Sequence, residues 1–77
     1  MAFDIIFINK IGECIDRYQN KTGATKTWIS KKMGFNAVQS LDMLTKSTNP
    51  TLINLIKLSV ILGCSVVDLF EYQVEEE

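Results

Sequence analysis

Histidine is absent from this chain, proline occurs once and cysteine twice. Each scarcity removes a class of function. Without His, the side chain that most often serves as general acid–base or metal ligand at neutral pH is missing. The two cysteines, Cys14 and Cys64, stand far apart, whereas a zinc site takes about four thiolate or imidazole ligands. No metal is expected. Isolated thiols of this kind read as buried side chains in a reducing compartment, which places the chain in the cytoplasm. There is no Gly-rich phosphate loop and no matched nucleophile and base, and so short a chain has little room for a substrate pocket. Neither an enzyme nor a cofactor is expected. No apolar run approaches the roughly 18 residues that cross a bilayer, so no membrane partner is expected. The opening "MAFDIIFINK" has neither the basic leader nor the small-residue cleavage site of a secretory signal.

What is present is a globular composition. The 77 residues are 47% hydrophobic and 22% charged, the balance of one folded domain rather than a disordered segment. That size is near the lower limit at which a core holds without disulfides or metal, so burial against a partner would help. Helical spacing of apolar residues dominates and strand-type alternation is scarce, which predicts an all-α fold of five helices. The formal charge of −1 is unevenly spread. From Arg17 to Val67 the cations are Arg17, Lys21, Lys26, Lys31, Lys32, Lys46 and Lys57; the one acid is Asp42, which leaves a surplus of six. Acids gather at the ends, as Asp4, Glu13 and Asp16, then Asp68, Glu71, Glu75, Glu76 and Glu77. A positive middle between negative ends suits phosphate binding by one face. Ordinary solvated helix faces are the plain alternative.

The first helix is expected over about Asp4 to Lys21, with residues 1–10 as its N-terminal extension. Asp4 can cap it, and Phe7, Ile11, Ile15 and Tyr18 repeat along one helix face. "FDIIFI" is also β-rich, so an N-terminal strand arm is the alternative. Thr22-Gly23 ends this helix. Thr25 caps a second, short helix to Met33, with Ile29 and Met33 inward, and Gly34 stops it. A third begins near Asn36 or Ala37, and "TKSTNP" is a loop. Thr51 caps a fourth helix to Leu62, stopped by Gly63, and Ser65 caps a fifth through about Tyr72. The domain proper spans 11–72, and residues 73–77 form a frayed acidic tail.

A short helix, a tight Gly turn and another short helix make a helix-turn-helix unit, one helix lying across the DNA backbone and the next entering the major groove. From Ile11 to Phe70 the chain resembles the Cro and phage-repressor type (XRE-like) helix-turn-helix family. "IGECIDRYQNKTGAT" is similar to the family's first helix and the Gly-x-Thr that leads into helix two. "TKTWISKKMG" is similar to Thr-Gln-x-x-Leu-Ala-x-x-Leu-Gly, with Ile29 in the Leu place, Ser30 in the small-residue place and Gly34 as the turn Gly. "NPTLINLIKLSVILGCSVVDLF" is similar to Asn-Pro-Ser-x-x-x-Leu-x-x-Ile-Ala-x-x-Leu-Gly-Val-Ser-x-x-x-Leu-Phe. The resemblance implies a lambda-repressor-like domain whose helices 2 and 3 form the helix-turn-helix. It also implies sequence-specific binding of double-stranded operator DNA, as a homodimer, in transcription regulation.

Three departures from the family matter. The third helix fits best if the turn after Gly34 is one residue longer than the family's shortest form, which puts Leu41 and Leu44, not Ser40, in the core. Gln19 and Thr45 stand where the family often pairs an Arg with a Glu, so neither charge is left buried and unpaired. Lys26 replaces the Gln that commonly opens helix two, exchanging a positioning amide for a point charge that seeks phosphate.

With Leu41 and Leu44 inward, Val38, Gln39, Asp42 and Met43 face outward or partly so and are the expected base-reading residues. Gln39 can pair bidentately with adenine, Val38 can touch a thymine methyl, and Asp42 can accept from cytosine. Met43 lies against the DNA backbone or covers the edge of the core. No Arg for guanine stands on this helix, so direct readout is weak and leans towards A·T. Thr25, Lys26, Lys31, Lys32 and Lys46 are the expected phosphate contacts. Ser30 reads as a small residue at a close helix crossing. Trp28 has two candidate neighbours, the N-terminal extension and the DNA backbone.

The fourth helix carries two apolar stripes where a single domain needs one. Leu55, Leu58 and Leu62 make the core stripe. Ile53, Ile56 and Val60 make the other, the expected homodimer interface unless the chain's own N-terminal extension covers it. A regulator binding DNA is the leading reading. The alternative is an antitoxin-like or adaptor module whose third helix has lost DNA readout, as its thin charge and the acidic tail suggest.

Overall fold

Four α-helices and a two-stranded antiparallel sheet build the computed structural model, which describes residues 2–76. In chain order they are β1 (Phe3–Asn9), α1 (Ile11–Thr22), α2 (Lys26–Met33), α3 (Val38–Lys46), α4 (Leu52–Leu62), a single 3-10 turn (Val66–Asp68) and β2 (Phe70–Glu76). The domain is therefore mixed α/β, and the all-α, five-helix expectation is corrected at both ends.

At the N-terminus the chain does not extend the first helix back to Asp4. "FDIIFIN" is rich in Ile and Phe, which fit a pleated ladder, and it pairs residue for residue with "FEYQVEE", Phe3 opposite Glu76 through Asn9 opposite Phe70. The helical spacing from Phe7 to Tyr18 is only half realised. Ile11 and Ile15 are buried in α1 and Tyr18 packs against the core, but Phe7 stacks on Phe70 across the ribbon, ring centroids 5.5 Å apart. Asn9, rather than Asp4, turns the chain into α1. Its Oδ1 accepts from the Ile11 N–H at 2.9 Å, and its Nδ2 donates to the carbonyls of Leu44 and Ser47.

At the C-terminus Ser65 does cap, through reciprocal bonds with Asp68, but only one 3-10 turn follows. Leu69 drops into the core, fully buried, and the Lys10 N–H donates to its carbonyl at 2.9 Å. The chain then leaves as β2, so the described part of the expected acidic tail, to Glu76, is paired strand; Glu77 lies outside the described residues. A 2.7 Å ion pair from Lys10 to Glu71 ties the two strand ends together, and its hydrogen bond holds the Lys10 ammonium above its ordinary pKa.

Between the strands the local signals hold. Thr25 and Thr51 accept from the Trp28 and Asn54 N–H groups and cap α2 and α4. Gly34 ends α2 at φ 85°, a left-handed geometry that side chains with a Cβ adopt at a cost of about 1–2 kcal/mol. The core is Ile11, Cys14 and Ile15 of α1, Ile29 and Met33 of α2, Leu41 and Leu44 of α3, and Leu55, Leu58 and Leu62 of α4, closed by Leu69. Leu41 and Leu44 are buried, as the longer turn after Gly34 requires. Gln19 and Thr45 are satisfied separately, by the Ala24 and Asp42 carbonyls.

Ser30 is buried in α2 and its hydroxyl has no hydrogen-bond partner. An orphaned buried hydroxyl costs about 1–3 kcal/mol. Ser30→Ala is therefore expected to stabilise the fold by about 1 kcal/mol, raising the thermal midpoint by roughly 4–8 °C. A melt that falls instead would mean that the hydroxyl is bonded in solution.

Candidate nucleic-acid interface

Helix α3 is only 9 residues long, and its burial pattern fixes which way each side chain faces. Leu41 and Leu44 anchor the inner side. Gln39, Met43 and Lys46, spaced four and three apart, are all exposed and form the opposite row. Met43 is 72% exposed and so does not cover the edge of the core. Val38 and Asp42 flank this row, half-buried, and Ser40 lies exposed on the other flank. Of the four expected base-reading residues, Gln39 and Met43 stand squarely outward, while Val38 and Asp42 are displaced towards the helix packing.

Asp42 is also engaged. Its carboxylate lies 3.6 Å from the Lys26 ammonium at the start of α2, beside a small cleft lined by Gly12, Ile15, Asp16 and Thr45. One expected base reader and one expected phosphate contact thus occupy each other. Both are about half exposed, so the pair contributes little to stability. Its consequence is electrostatic, because it neutralises one of the few cations of α2 and α3 and sets a carboxylate beside the expected phosphate contacts. Asp42→Asn is expected to free Lys26, tighten binding to any duplex and steepen the salt dependence by up to about one unit. Should the substitution instead relax preference at a single base pair, Asp42 reads cytosine.

The other phosphate candidates are spread out. Thr25 uses its hydroxyl oxygen to accept the Trp28 N–H at 3.1 Å, which leaves its O–H free to donate. Lys31 and Lys32 lie in the last turn of α2 and Lys46 in the last turn of α3. The Lys32 ammonium stands 5.4 Å from the centre of the Trp28 ring. Trp28 in turn stacks on Tyr18 of α1, centroids 6.3 Å apart. This is its neighbour, rather than the N-terminal segment.

Sequence reasoning missed a groove between α3 and the start of α4. Its volume is about 370 Å³, and Phe35, Ser40, Met43, Ser47, Asn49 and Asn54 are among the residues that line it. These hydroxyls and amides adjoin the outward row of α3. The density of Ser, Thr and Asn in "TKSTNPT" was the available signal, and it reads equally well as an ordinary loop.

On α4 the second stripe is open. Ile53, Ile56 and Val60 are exposed, Val60 at 77%, and the N-terminal segment is committed to the ribbon instead of covering them. The two cysteines, remote in sequence, line one cavity of about 320 Å³ with Arg17, Tyr18, Lys21 and Asp68. Cys14 is buried and donates to the Asp68 carbonyl at 3.3 Å, and Cys64 is half-buried. Burial pushes both thiols up from their ordinary pKa, so they stay protonated at neutral pH. Among the described residues no three His, Cys, Asp or Glu side chains gather to hold a metal, and no described helix is long and apolar enough to cross a membrane.

Comparisons with protein-family models, with curated proteins and with solved structures returned no match.

Proposed function

We propose that this chain is a sequence-specific DNA-binding regulator of the Cro and phage-repressor (XRE-like) type, a small cytoplasmic repressor that acts as a homodimer on operator DNA. The observation that carries the reading is the row Gln39, Met43 and Lys46. It is held outward on α3 by a buried Leu41–Leu44 pair and braced by α2, within a segment that has a surplus of six positive charges. In this reading α3 enters the major groove. Gln39 addresses adenine, Met43 and Val38 supply apolar contact, and Thr25, Lys31, Lys32 and Lys46 hold phosphates, with Lys26 joining when it leaves Asp42. Two copies paired through Ile53, Ile56 and Val60 place their α3 helices on half-sites about one DNA turn apart. The chemistry is binding, not catalysis, and no cofactor takes part.

The mutual neutralisation of Lys26 and Asp42, together with an exposed Met at the centre of the reading row, favours the second reading, an antitoxin-like or adaptor module that binds protein through the same face.

The test is the salt dependence of binding. Replacing Lys26, Lys31, Lys32 or Lys46 by Ala is expected to flatten the log–log salt slope by about one unit for each Lys that holds a phosphate, equally for any sequence. A slope unchanged in all four variants would place the phosphate face elsewhere.

A further inference from the structure

The β1–β2 ribbon has two unlike faces. In the paired register, alternate residues share a side. One face carries Phe3, Ile5 and Phe7 of β1 with Phe70, Tyr72 and Val74 of β2. The other carries Asp4, Glu71, Gln73 and Glu75, with Ile6 and Ile8 between them. On the apolar face Phe3 is 65% exposed, Ile5 59%, Tyr72 64% and Val74 52%. These four side chains leave on the order of 400 Å² in water, an area that on a small protein marks an interaction surface. The ribbon is otherwise a bare pair of strands, which is marginally stable by itself. It contributes to a long, narrow molecule measuring 46 × 24 × 16 Å.

We infer that the apolar face of the ribbon is a second self-association surface, and that its occupant is the same face of another copy. Charge decides the occupant. Asp4, Glu75 and Glu76 line the outer part of the ribbon with carboxylates, which repel nucleic acid and anionic lipid, while Glu71 at its base is paired with Lys10. A two-fold copy avoids this repulsion, because the apolar face holds no charge except Glu76 at its tip. With the strands running opposite ways, the tip of one ribbon lies over the base of the other, near Asn9 and Phe70, and the two Glu76 side chains stay apart. The other face instead carries the Asp4 and Glu75 carboxylates opposite each other and offers no such uncharged surface. Two apolar faces bury on the order of 800 Å², below the roughly 1,200 Å² of a standard stable complex. The contact is weaker than a permanent dimer and forms at high concentration. It adds to the α4 contact and is independent of the DNA reading.

Sedimentation of the full chain without DNA tests this. The comparison is made in the Val60→Glu background, so that the α4 contact does not enter. Val74→Lys puts a charge on the apolar face, and Gln73→Lys, one residue away, puts the same charge on the other face; both positions are exposed, so the fold is kept. The Val60→Glu protein and its Gln73→Lys derivative are expected to gain mass between about 20 and 500 µM, the range of a weak contact, while the Val74→Lys derivative stays monomeric. On dilution, backbone amide NMR shifts of the single variant move at Ile5, Phe7, Tyr72 and Val74. Equal behaviour of the two lysine variants, or no mass gain in any of the three proteins, overturns the proposal. So does tighter association of the ribbon with neutral phosphatidylcholine vesicles than with itself.

Discussion

Val60→Glu is expected to separate the proposed α4-paired homodimer while leaving the helices intact. Val60 is 77% exposed on the face of α4 opposite Leu55, Leu58 and Leu62, so a carboxylate there meets water in the single chain and costs the fold little. In the paired state the same carboxylate faces an apolar stripe and its own two-fold mate. Burying an unpaired charge costs several kcal/mol, more than a small interface supplies. Separation removes the tethering of one α3 by the other, which raises effective concentration and is worth about 100- to 10,000-fold in apparent affinity. Operator binding should fall by that order while the salt slope per chain is kept. Circular dichroism and sedimentation at about 10 µM read both halves of the expectation, at a concentration below the range of the weaker ribbon contact. A collapse of the helical signal would mean that Val60 is covered by its own chain. Unchanged mass relative to wild type would remove α4 from the assembly.

Gln39→Ala is expected to be the most damaging single change on α3. Gln39 stands exposed in the outward row, the side-chain amide there with the bidentate geometry that matches the adenine edge. Its removal should cost about 1–3 kcal/mol at one base pair, or roughly 5- to 150-fold, and abolish preference at that position alone. Met43→Ala next to it removes apolar surface and should lower affinity with little change of preference. Sites selected from a random duplex pool by wild type and variant show the difference directly. Identical selected sites would remove Gln39 from readout.

The central helices were legible because their signals are local. Thr25, Gly34, Thr51 and Gly63 mark caps and stops within one turn of where they act, and the Leu41–Leu44 spacing fixed the rotation of α3. The ends were not legible from either end alone. "FDIIFIN" supports a helical continuation into Ile11 and Ile15 as well as a strand, and only "FEYQVEE", at the far end of the chain, decides between them by pairing. The fifth helix failed in the same way, since Ser65 and Asp68 start a turn but nothing local shows that Leu69 will plug the core and release a strand. Within the candidate interface, exposure of Gln39 and Met43 followed from periodicity. The Lys26–Asp42 pair did not, because it depends on how α2 crosses α3.

The most direct test of DNA binding is titration of a labelled bulk duplex by fluorescence anisotropy from about 50 to 200 mM salt, where phosphate contacts are released in proportion to their number. A regulator using Lys31, Lys32 and Lys46, with Lys26 in part, is expected to bind at 50 mM. Its affinity should fall with a log–log slope of roughly −2.7 to −3.6 per chain. No detectable binding at 50 mM salt would contradict the account and leave the exposed row of α3 to a protein partner.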